Sequence, residues 1–167
     1  NESTFIISRH QNTEALTPCE EVVTLAYKEL GINFIVKEYP GRRSLHMANS
    51  GQADAELCRI KLTEKRFNNL VPIEPAIHRL AFYAVTKDVS KPLTKVSALN
   101  GLRIGSIRGM MAAELIFENQ NVRYENSAAQ TARLLTNGSV DVLILSLPDI
   151  KQLIEDNLLN EEFVQPT

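Results

Sequence analysis

Gly51-Gln52-Ala53-Asp54-Ala55-Glu56-Leu57 decides the fold, because the chain repeats its pattern as Gly138-Ser139-Val140-Asp141-Val142-Leu143-Ile144. Each copy follows a helix-like segment and opens a short apolar run. An internal repeat is weighed first, since missing one misassigns the whole architecture. Residues 32–36 stand before Gly51 as residues 121–124 stand before Gly138, so strand, helix, Gly-x-x-Asp and strand recur with similar spacing. The chain therefore reads as α/β, in two Rossmann-like lobes. Strands alternating with helices through short connections require mostly parallel sheets with helices on their faces.

Between the copies, Leu80-Ala81-Phe82-Tyr83-Ala84-Val85 is apolar and aromatic, too short for a buried helix and suited to a crossover strand that serves as a hinge. Lobe one is expected over residues 1–85 and lobe two over 86–160, with 161–167 starting a return towards lobe one. A ligand site in such a molecule lies in the crevice outside the carboxyl ends of the strands.

Outward from the repeat, residues 4–8 read as a first strand and 9–17 as a polar loop. Thr17-Pro18-Cys19-Glu20 has the form of a capping box with an early proline. Val22, Leu25, Ala26 and Leu30 then form an apolar stripe at helical spacing, expected to be buried, and Gly31 supplies the stop. A strand over 33–39, a helix over 42–49, a third strand over 54–59 and an extended piece over 70–73 follow. Lobe two is expected to hold strands at 102–107, 122–124 and 140–145, helices at 108–117, 127–136 and 148–156, and an extended piece at 162–165.

The formal net charge of -2, with acids and bases interspersed, gives no basic footprint for nucleic acid. No apolar run approaches the length that crosses a bilayer. His10, His46 and His78 stand singly and the two cysteines lack metal-ligand spacing, so neither a metal site nor a cofactor is expected. If the protein is exported, Cys19 and Cys58 can pair as a disulfide; the alternative is two free thiols in the core. The chain begins at Asn1 without a signal peptide, as a mature or trimmed protein would.

Three features together resemble the type-two periplasmic solute-binding proteins, in particular the amino-acid-binding components of ABC importers. They are Gly51-x-x-Asp54, the turn Leu62-Thr63-Glu64-Lys65-Arg66, and Ala98-Leu99-Asn100-Gly101-Leu102-Arg103-Ile104-Gly105 with its following Arg108-Gly109. The resemblance covers nearly the whole chain. It implies that Arg66, closing a Thr63-x-x-Arg turn, clamps a ligand carboxylate, and that backbone N–H groups at Arg108, Gly109 and Met110 meet the same group from lobe two. A guanidinium suits that task because it offers two parallel donors. The alternative for Arg66 is a solvated arginine in a surface charge run, and for Gly109 a plain strand-to-helix turn.

The chain also departs from the pattern. Where relatives commonly hold a ligand ammonium with an acid, this sequence has Ser146; Arg59 and Lys61 add positive charge near the expected cleft. The departures favour a carboxylate or modified amino acid over an ordinary α-amino acid. His10 and Glu14, in the loop after the first strand, and Tyr39 are further candidates for the pocket wall, and Glu56 needs a partner such as Arg59 if its strand is buried.

What the resemblance implies is periplasmic binding of a small anionic or amino-acid-like solute by lobe closure, feeding an ABC importer permease. The alternatives are the ligand-sensing domain of a membrane signalling protein, and a dehydratase or lyase-associated domain using Glu14 or His10 as acid or base. Catalysis is not expected, since the chain has no nucleophile elbow, phosphate loop or paired histidine and carboxylate motif. The short C-terminal segment leaves an oligomer or a swapped segment open.

Overall fold

The structure, a computed structural model, describes residues 4–165. It divides into two compact units. Among the described residues the first comprises 4–11 and 16–79, the second 12–15 and 80–165.

In the first unit, β1 (Phe5–His10), β2 (Phe34–Tyr39) and β3 (Ala55–Glu56) form a parallel sheet in the order β2-β1-β3. Helices α1 (Thr17–Glu29) and α2 (Gly41–Asn49) join the strands. Ile7, Leu16, Cys19 and Leu57 are the buried heart, flanked by Phe5, Val23, Tyr27, Phe34 and Val36. The Tyr27 ring packs between Phe5 and Phe34, with centroids 5.4 and 5.2 Å away.

Cys19, in the first turn of α1, is bridged to Cys58, just past β3. The Cα atoms stand 6.3 Å apart, within the span a disulfide tolerates.

The second unit is built on a four-stranded sheet, with β4 (Phe82–Val85), β5 (Ile104–Ile107), β6 (Val122–Glu125) and β7 (Val142–Ser146) in the order β4-β7-β5-β6. Strands β5, β6 and β7 run parallel; β4 is antiparallel to β7. Helices α3 (Met111–Ile116), α4 (Ala128–Thr136) and α5 (Leu147–Glu155) complete it. Every residue of β5 and β7 is buried, as expected of strands covered on both faces. Among the described residues no helix is long and apolar enough to cross a membrane.

The repeated phrase does the same work in both sheets. Gly51 and Gly138 end α2 and α4 with φ of 74° and 76°, a conformation only glycine adopts without strain. Three residues on, the Asp54 amide donates to the Ile6 carbonyl at 2.8 Å and the Asp141 amide to the Arg103 carbonyl at 2.8 Å. The side chains return the bond: Asp54 Oδ2 accepts the Ile6 amide at 2.7 Å, and Asp141 Oδ2 the Arg103 amide at 2.8 Å. Asp54 thus sets the register of β3 against β1, and Asp141 that of β7 against β5.

Several expectations change. The third strand, expected over 54–59, is only Ala55–Glu56, because Arg59 folds back to bond Glu56 three residues earlier. Residues 70–73 form no strand. The capping box at Thr17 is absent: Leu16 is the N-cap, with no side-chain bond to the helix, and Glu20 pairs with Arg9 at 2.9 Å instead.

The stripe Val22, Leu25 and Leu30 is 41%, 65% and 70% exposed; α1 buries the neighbouring stripe of Cys19, Val23 and Tyr27, which the disulfide and the aromatic stack fix in place. The division expected after residue 85 falls at 79/80, because β4 pairs with β7. Residues 161–165 belong to the second unit rather than returning to lobe one: Gln165 N donates to the Ala84 carbonyl at 2.9 Å and Val164 bridges Val85. Residues 166 and 167 lie outside the described residues.

Candidate functional site

In the first unit, a 3-10 turn over Lys61–Lys65 is closed by Arg66. The Thr63 carbonyl accepts the amides of Arg66 at 3.0 Å and Phe67 at 3.2 Å, which pins the turn from within. Arg66 is exposed, and its guanidinium makes no hydrogen bond or ion pair among the described residues. Thr63 is only 4% exposed, yet its hydroxyl has no partner among the described residues. A buried hydroxyl left unmet costs about 1–3 kcal/mol, so this one calls for a partner from outside the described residues, whether water, ion or solute.

Arg59 is otherwise engaged. Its Nε donates to Glu56 Oε1 at 2.7 Å and its Nη2 to the Gly41 carbonyl at 3.0 Å, while Ser8 and Ser44 hydroxyls donate to Glu56 Oε2 at 2.6 Å. Both charged side chains are nearly inaccessible, at 10% and 5%. Here the partner expected for Glu56 is present, but the pair is framework. Lys61 reaches Glu74 at 2.9 Å, which raises its pKa. His10 is buried at the end of β1, opposite Tyr39 in the sheet. Tyr39 is half-buried, with the Arg43 guanidinium 6.0 Å from its ring centre.

In the second unit, Arg108 Nη2 donates to the Tyr124 carbonyl at 2.8 Å and its Nε to Asn126 Oδ1 at 3.2 Å. The Gly109 amide, expected to face a ligand carboxylate, donates to Glu114 Oε1 at 2.9 Å, and Met110 is buried as the N-cap of α3. The chain therefore supplies this turn with a carboxylate of its own. Ser146 is fully buried and caps α5; its Oγ accepts the Asp149 amide at 3.2 Å and donates to Asp149 Oδ2.

Two residues that sequence reasoning passed over organise their surroundings. Arg9, 7% exposed, meets Glu20, Glu38 and Thr17. Nothing local announces it, because its acids come from two other elements. Asp149 is 1% exposed and takes the Thr13 hydroxyl on both oxygens, at 2.9 and 3.0 Å, and the Glu14 amide at 2.8 Å.

Burial pushes the Asp149 carboxyl above the usual carboxylate range, against the pull of its donors Ser146, Glu14 and Thr13. Its signal was available: Ser146-Leu147-Pro148-Asp149 has capping-box spacing. Beside it opens a pocket of about 210 Å³, lined in part by Asn12, Glu14, Ser127, Gln152 and Asp156. The lining mixes apolar surface from Ala128, Ala129 and Leu153 with the acids Glu14, Asp149 and Asp156. Arg66 and Thr63 thus share one turn, while Arg59, Arg108, Gly109 and Ser146 are bonded within their own units.

No protein-family model matches the chain, and no curated protein matches it in sequence. Solved structures do match. An ancestral arginine-binding protein bound to arginine superposes with a TM-score of 0.74 at 12% identity, over 99% of this chain and 79% of that one. A histidine kinase sensor domain with similarity to periplasmic binding proteins gives 0.74 at 14%, over 94% and 74%. The arginine-, lysine-, histidine-binding protein ArtJ from Geobacillus stearothermophilus gives 0.72 at 13%, over 98% and 74%. At these identities the likeness establishes architecture, and that architecture is the type-two periplasmic binding protein fold.

Proposed function

We propose that the protein is an extracytoplasmic module that binds a small carboxylate-bearing solute, with the Thr63–Arg66 turn taking the carboxylate. One observation carries this reading. Arg59 and Arg108 are spent on their own units, whereas the Arg66 guanidinium is uncommitted among the described residues and stands three residues from a buried hydroxyl that lacks a partner. A guanidinium and a hydroxyl suit a carboxylate; Ser146, neutral and bonded to Asp149, offers nothing to an ammonium group. The solute is therefore a dicarboxylate, keto acid or modified amino acid rather than a free α-amino acid. The Cys19–Cys58 disulfide supports an oxidising compartment. Binding, not catalysis, is the activity we assign.

Thermal shift against a panel of carboxylates and amino acids is the test. Arg66→Ala abolishes the ligand-induced rise in Tm and leaves the melting of the free protein within about 0.5 kcal/mol of wild type, as expected of an exposed side chain. A full rise in Arg66→Ala overturns the assignment.

The bound state then feeds an ABC importer permease. A sensory destination is the second reading, favoured by the kinase sensor domain among the structural neighbours. Cross-linking in native membranes separates them by the partner captured, a permease or a signalling protein.

A further inference from the structure

Residues 12–15 leave the first unit between β1 and α1, both of which belong to it, and are part of the second. Ala15 is fully buried in the second unit's core. Thr13 and Glu14 both bond the Asp149 carboxyl. The Thr13 hydroxyl in turn accepts the Ala15 amide at 3.2 Å, so bonds to this carboxyl run through three consecutive residues of the segment.

That carboxyl is 1% exposed and pairs with no lysine, arginine or histidine among the described residues. The charged group that bears on it is an acid, Glu14 of the segment, and Asp156, just past α5, lines the pocket beside it; the start of α4 contributes Ser127, Ala128 and Ala129 to that pocket, and β7 ends in Ser146, which bonds the carboxyl. A buried carboxylate beside another acid, with neutral hydrogen-bond donors in place of a cation, is costlier charged than protonated.

We propose that Asp149 is a proton-responsive latch: a proton on its carboxyl holds the Asn12–Ala15 segment, and with it one wall of the adjacent pocket, in the seated position. Both forms of the carboxyl find partners here. The charged form accepts from Thr13, Glu14 N and Ser146. The protonated form keeps Glu14 N on Oδ1 and donates from Oδ2 to Thr13 or Ser146, whose hydroxyls turn to suit.

The sign follows from burial. The seated state binds the proton more tightly than the unseated state, where Asp149 meets water and titrates in the ordinary carboxylate range. Seating is therefore firmest below that range and weakens as pH rises through the raised pKa of the seated form, by at most about tenfold per pH unit for one linked proton.

Hydrogen exchange of the full chain tests this, with amide rates corrected for the intrinsic effect of pH. In wild type, protection of the Glu14 and Ala15 amides falls several-fold between about pH 4.5 and 7.5 relative to the amides of β7 and α4. Asp149→Asn, an uncharged isostere of the protonated acid, holds the segment at the acidic level across that range. Asp149→Ala loses protection there at every pH while α4 stays protected. A flat wild-type profile, the same slope in Asp149→Asn, or retained protection in a folded Asp149→Ala protein each overturns the latch. If Asp149→Ala does not fold, the wild-type and Asp149→Asn profiles decide alone. None of these readouts depends on Arg66 or on a solute.

Discussion

Asp54 holds the backbone of β1, and Asp141 that of the residue leading into β5, with a side-chain oxygen and an amide, so losing either loosens a strand start. Replacing either by Ala is expected to cost about 1 kcal/mol, the net worth of such a bond, read as a fall in the denaturation midpoint. The Asp141 effect carries a pH signature. Arg103 hydrogen bonds hold the Asp141 carboxyl below the usual range, so its stabilisation is present above that range and lost as pH falls through the depressed value. Asp141→Ala is expected to flatten that acid limb of the stability curve.

Glu56 and Arg59 behave differently, being buried together. Glu56→Ala strands a buried guanidinium and is expected to cost about 3–5 kcal/mol, more than the Glu56→Ala/Arg59→Ala double variant, in urea unfolding. At this scale the sequence conveyed Gly51, Gly138 and their aspartates, because the work they do is local. It offers Arg59 both as a partner for Glu56 and as charge in the cleft and does not choose between them, since Gly41 and Ser8, which help fix that network, lie far along the chain.

Helix α1 shows why elements are read more easily than their faces. Its apolar residues satisfy two helical stripes, 22-25-26-30 and 19-23-27, and spacing alone cannot choose between them. The choice comes from β1, β2 and the chain after β3, whose Phe5, Phe34 and Cys58 meet the second stripe. All five helices were placed to within a few residues, whereas the short β3 was overextended.

The disulfide ties α1 to the end of β3 across 39 residues of chain, a loop for which the chain-entropy account gives about 4 kcal/mol. Cys19→Ser/Cys58→Ser is expected to lose most of that from the first unit. Hydrogen exchange is the measurement, with opening confined to α1, β2 and α2 while β5 and β7 remain protected.

For the whole molecule, the duplicated phrase was enough to read two α/β halves, and the solved relatives bear out that fold. The candidate site is legible only in part: Thr63 and Arg66 sit in one turn and are proposed from its motif, while Asp149 bonds Thr13 and Glu14, more than a hundred residues upstream. Long-range pairing of that kind leaves no mark in local spacing.

It also matters for anyone who divides this protein. A gene cut at the 79/80 boundary yields a downstream half lacking four residues of its own tertiary structure. That half begins life with a methyl-sized hole where Ala15 belongs and with two of the donors to Asp149 gone. A synthetic hexapeptide of residues 11–16, added in trans, should fill the gap and raise the fragment's melting point in a dose-dependent way. The half-protein would then have become a receptor for a scrap of its former self.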